Sequence, residues 1–181
     1  MKFYSCKSEK AQVWIETVLY TLIAFTIIGL VLAYAQPEIE KYQDKSIIKQ
    51  SITLMSDLDS KISEVSKSGE GNKRVLEISV KKGSLNINAT KDQIVLEIES
   101  TYPYTEPGEE YSEQGITITT ISTGERNKIK LLKNYNETLN LTYSGREETK
   151  TLSQSSTFYK IYMENKGDST SGKTIVEIGL V

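Results

Sequence analysis

KAQVWIETVLYTLIAFTIIGLVLAYA, residues 10–35, is the stretch from which the rest of the chain is read. Residues 17–35 run for nineteen positions without a charge. At about 1.5 Å of helical rise per residue, that run nearly matches a hydrocarbon core roughly 30 Å thick. The stretch predicts a helix able to cross a bilayer. Its front edge is unusual, because a short basic leader meets Lys10-Ala11-Gln12 and a single acid, Glu16, sits just inside the apolar run.

Lys2, Lys7 and Lys10, against Glu9, precede the span directly. Positive charge stays on the cytoplasmic side, so the predicted topology is N-in, C-out, with everything after Ala35 outside. An ordinary secretory signal has its small-residue cleavage site after the apolar region. Here the small residue, Ala11, comes before it. Cleavage between Ala11 and Gln12 would remove only the leader, residues 1–11, and leave the hydrophobic helix on the mature chain.

The Lys10-Ala11/Gln12 junction, the glutamate four residues after Gln12 and the uninterrupted apolar helix together resemble the class III signal peptide of archaeal type IV pilins. The resemblance covers about the first 35 residues, and beyond them it extends only to a general plan of helix followed by β domain. It implies that a prepilin peptidase recognises Lys10 and Ala11, that Gln12 becomes the first mature residue, and that Glu16 pairs with the N-terminal amine of a neighbouring subunit during assembly. Trp14 and Val18 depart from the residues most frequent in the family motif. Archaeal flagellins share the processing signal but usually lack the acid, so Glu16 favours the pilin comparison.

Physical reasoning gives Glu16 two readings. An acid near the start of a membrane helix costs less than one at the midplane, and an opposite charge such as the new amine of Gln12 would offset that cost. Alternatively, Glu16 reaches the headgroups or favours the positive end of the helix dipole. Gly29 and Ala33 form a small-xxx-small pair that permits close helix packing. Trp14 and Tyr34 fit interfacial positions at the two ends of the span, whereas Tyr20 lies deeper.

Gln36-Pro37 predicts a kink in the helix, not a stop. Beyond it, Ile48, Ile52, Met55, Leu58, Ile62 and Val65 recur at helical spacing, with Lys49, Asp57, Lys61 and Glu64 largely off the stripe. This face is expected to pack on the protein's own β domain, leaving Ile39 and Tyr42 beside the kink for subunit contact or solvent. The polar, glycine-containing segment 66–72 ends the helix, so the long helix is predicted over 12–66.

The period then changes to two. Strands are predicted over 76–80, 85–87 and 94–98 as a three-stranded meander, and again at 116–121, 128–132, 139–143, 148–152, 158–163 and 174–180, with a hairpin turn at Ser144-Gly145. The apolar end of the chain reads as a strand held inside a sheet. The predicted class is α+β: a long N-terminal hydrophobic helix, kinked near Pro37, followed by an antiparallel β-sandwich or small β-barrel over 73–181.

Composition narrows the chemistry. Of 181 residues none is histidine, and the single cysteine, Cys6, lies in the leader. No Cys/His metal site, histidine base or intrachain disulfide is available, which leaves carboxylate-only catalysis and calcium binding. The glutamates of 102–114 lack the aspartate-rich spacing of a calcium loop and nothing places two carboxylates in one pocket, so neither cofactor, metal nor catalytic residue is expected. The balance of 22 basic and 24 acidic side chains offers no basic field for a nucleic-acid partner. Asn88, Asn136 and Asn140 begin three N-glycosylation sequons in the part predicted to lie outside. Residues 102–114, YPYTEPGEEYSEQ, concentrate glutamate and tyrosine and read as a solvated or contact-making loop.

Two functions fit these features. One is a structural, adhesive filament subunit that polymerises with itself through its apolar helix, having first resided in the membrane and met the peptidase and assembly machinery. The other is a single-pass anchored β domain that binds or senses without polymerising.

Overall fold

The computed structural model describes the backbone of residues 8–124, 126–170 and 172–181, and side chains from Val13 onward. Leader positions 1–7 lie outside the described residues, as do the side chains of Lys10, Ala11 and Gln12. Two compact units divide the chain, one ending at Glu40 and the other being Lys41–Val181. A single helix, α1, runs over Ser8–Ser66 and contributes to both. Pro37 stands inside it, and the helix continues on either side.

Ten strands follow among the described residues. They are β1 (Lys73–Ile78), β2 (Ser84–Asn88), β3 (Gln93–Ser100), β4 (Glu110–Glu113), β5 (Ile116–Ser122), β6 (Asn127–Asn134), β7 (Leu139–Tyr143), β8 (Thr149–Ser153), β9 (Tyr159–Asp168) and β10 (Thr174–Leu180). They form a four-stranded sheet in the order β1-β9-β10-β7 and a six-stranded sheet in the order β4-β5-β6-β3-β2-β8. The arrangement is α+β and sandwich-like, with no closed barrel. All pairings are antiparallel except β10 with β7, which run parallel.

One core unites the three parts of the second unit. Ile48, Ile52, Met55, Leu58, Ile62 and Val65 of α1 are all at most 3% exposed, as the helical stripe predicted. They join Ile161, Met163, Val176 and Ile178 of one sheet and Leu96, Ile98, Ile118 and Leu131 of the other in a single cluster. Polar ties fix the helix to the strands. Asp59 meets Lys133 of β6 at 2.8 Å, and Glu64 meets Arg74 of β1 at 3.1 Å. Tyr135 is buried beside Asp59, and burial followed by the Asp59 charge pushes its phenol up. At the helix end, the buried Asn165 side chain donates to the carbonyls of Val65 (3.2 Å) and Ser68 (2.7 Å), satisfying groups that a helix terminus leaves open.

Three expectations are corrected. The predicted meander does not form: β2 and β3 pair, but β1 pairs with β9 in the other sheet. The chain changes sheets through Gly83, whose φ of +83° suits glycine, and where an added Cβ would lie 1.9 Å from the Glu97 carbonyl oxygen. Ser144-Gly145 does make a tight turn, with Tyr143 and Arg146 exchanging backbone hydrogen bonds of 2.8 and 3.0 Å. However, the strands on either side, β7 and β8, enter different sheets. Finally, the 102–114 segment is not all loop, because β4 pairs with β5 across a turn in which Gln114 and Gly115 both have positive φ. The terminal strand β10 lies between β9 and β7, inside its sheet as expected.

Candidate functional site

The N-terminal unit offers the chain's most demanding surface. From Val13 to Tyr34, fifteen large apolar side chains are exposed, with Trp14 at 73% and Phe25 at 74%. At about 1.5–3 kcal/mol for each large apolar side chain left in water, the unmet burial is roughly 20–45 kcal/mol. A whole domain is stabilised by only about 5–15 kcal/mol. This surface therefore requires lipid or protein around it. The helix is long and apolar enough to cross a membrane.

Polar groups within the stretch are handled locally. The hydroxyls of Thr17, Thr21 and Thr26 donate to the carbonyls of Val13, Val18 and Leu22 at 2.8–2.9 Å, so they present little polarity outward. Glu16 is different: it is exposed, and among the described residues no side chain pairs with it. An added Cβ at Gly29 would meet nothing within 4 Å, so the small-residue face it shares with Ala33 contacts no other part of the described chain. Trp14 and Tyr34 bracket the stretch and Tyr20 lies between them, all exposed. Ile39 and Tyr42, at 52% and 72%, extend the exposed surface past Pro37.

The sequons differ in accessibility. Asn136 is exposed in the turn between β6 and β7, where its carbonyl accepts from Lys173 Nζ at 2.5 Å. Asn140 is half-buried in β7. Asn88 is half-buried and its side-chain oxygen accepts the Lys91 N–H at 3.1 Å, capping a turn of 3-10 helix over Ala89–Lys91.

Two further features escaped the sequence reading. Asp44, on α1 in the second unit, is only 5% exposed and accepts from Lys82 Nζ (2.5 Å), Thr101 N–H (2.7 Å) and Thr101 hydroxyl (2.9 Å). Burial pushes its carboxyl up, but these hydrogen bonds and the Lys82 charge outweigh burial and hold it below the ordinary carboxylate value. Within the tyrosine-rich segment, Tyr104 donates to Glu113 at 2.8 Å, and burial with that carboxylate pushes its phenol up to about 12. Density of tyrosine was the only sequence signal for this second feature. Comparison of the chain with protein-family models, curated proteins and solved structures finds no match.

Proposed function

We propose that this chain is the structural subunit of a type IV pilus-like surface filament, of the kind that archaeal type IV pilins build. The observation that carries the reading is the exposed apolar stretch 13–34, joined without a break to the helix whose second half is built into a β domain. Lipid satisfies that stretch in a precursor, and the helices of neighbouring copies satisfy it in a polymer, where removal of apolar surface from water provides the driving force. The β domain then forms the outer surface and serves adhesion.

In this reading a prepilin peptidase cuts between Ala11 and Gln12 on the cytoplasmic side while the precursor is held N-in, C-out. The freed amine of Gln12 pairs with Glu16 of a neighbour, giving the exposed carboxylate a partner where the surroundings are poor in water. Gly29 and Ala33 permit close helix approach, and the accessible Asn136 leads Asn140 and Asn88 as a glycan acceptor. The test is Glu16→Gln in the producing cell, with membrane insertion and filament yield both measured. The proposal predicts normal insertion and loss of filaments. Filaments of this chain at wild-type yield would overturn the assembly step that rests on Glu16, whereas a wild-type cell carrying this chain only as a membrane-bound monomer would leave the anchored, non-polymerising β domain as the better reading.

A further inference from the structure

A groove of about 420 Å3 lies between the second half of α1 and the tyrosine-rich segment. That volume is within the roughly 300–1,000 Å3 of small-molecule sites. Its walls include Tyr102, Tyr104 and Tyr111 together with Lys45, Glu106 and Glu110. Lys49, Glu109 and Glu113 complete the charged rim. From this combination we infer that the groove is a saccharide-binding site for neutral or amino sugars.

The chemistry of the walls selects the ligand class. Tyrosine faces carry negative quadrupole density and attract the weakly positive C–H faces of a sugar ring, while giving broad contact at low entropic cost. Hydroxyl groups both donate and accept. The groove offers each counterpart: carboxylates on Glu106, Glu109 and Glu110, for which no hydrogen bond or ion pair is found among the described residues, and the ammonium groups of Lys45 and Lys49.

A lone organic cation fits less well. Lys45 Nζ already lies 5.3 Å from the centre of the Tyr102 ring, so that face has an internal cation. Acidic sugars are disfavoured by the balance of four carboxylates against two ammonium groups around the rim. The floor is held in place, since Tyr104 is tied to Glu113 and the Thr105 N–H and hydroxyl both bond Thr120 Oγ1, at 3.0 and 2.7 Å. Tyr111, at 52% exposure on the edge strand β4, is the ring left free to meet a ligand.

This inference is independent of polymerisation and is testable on the monomer. The full chain, made in a host that adds no glycan, is held in micelles of a zwitterionic detergent without a sugar headgroup. Binding of neutral, amino and uronic-acid oligosaccharides is then measured by calorimetry. Neutral and amino oligosaccharides are expected to bind, and uronic-acid chains about tenfold more weakly. Tyr111→Ala should weaken binding about tenfold, while Tyr111→Phe, which keeps the ring, should stay near wild type. Circular dichroism confirms that both variants fold. Absence of binding across the panel, a preference for uronic acids, or binding unchanged by Tyr111→Ala would each overturn the inference.

Discussion

Replacing Asp44 by alanine tests the reasoning about the second unit most sharply. The carboxylate is 5% exposed and joins α1 to Lys82, between β1 and β2, and to Thr101, just past β3. The substitution leaves the Thr101 N–H without its acceptor, which costs about 1–3 kcal/mol for a buried donor. Lys82 is 27% exposed along its side chain and can turn to water. The loss should therefore fall below the roughly 3–5 kcal/mol seen when a fully buried pair is broken. Together these give about 2–3 kcal/mol for Asp44→Ala. Asp44→Asn keeps an oxygen for Thr101 and should cost about 1–2 kcal/mol.

The pH dependence has a definite sign. The folded carboxyl titrates below its unfolded value of 3.8, so its stabilisation is complete above that value and is lost as the pH falls below it. Asp44→Asn should flatten the acid limb of the stability curve. The assay is urea unfolding of the full chain in micelles, followed by circular dichroism, with hydrogen exchange at the Thr101 amide as the local readout. Stability within about 0.5 kcal/mol of wild type in Asp44→Ala, together with unchanged Thr101 protection, would refute the argument.

The other predictions are more local. Ile62→Ala, at a fully buried stripe position, should cost about 2–5 kcal/mol in the same unfolding assay. Gly83→Ala combines positive φ with a 1.9 Å approach to the Glu97 carbonyl oxygen, so it should cost about 3 kcal/mol or more or prevent folding, as read by soluble yield and unfolding. Tyr104 should ionise near pH 12 in an ultraviolet titration, and Glu113→Gln should lower that step only in part, because burial, the larger cause, remains when the carboxylate's charge is removed.

What the sequence revealed follows from the range of each signal. The six-residue stripe from Ile48 to Val65 was legible because a helical period is local, and all six side chains enter the core. Period-two alternation marks which face of a strand is buried but not which strand lies beside it, so the pairing of β1 with the distant β9 was out of reach. β4 was hidden because its residues, Glu-Tyr-Ser-Glu, are too polar and too exposed to show alternation. Asp44 looked like any charge on a helix, since its partners stand 38 and 57 residues away. Asn165 caps carbonyls almost a hundred residues earlier in the chain. In the N-terminal unit the apolar run was unmistakable, while the role proposed for Glu16 depends on a second molecule.

That dependence identifies the decisive measurement. Surface filaments are isolated from the producing cell, and the N-terminus and intact mass of their subunit are read by mass spectrometry. The account predicts that this chain is the polymer's subunit and that it begins at Gln12, with residues 1–11 removed and the apolar helix retained. A chain that still begins at Met1 and is found only as a membrane-anchored monomer would contradict it.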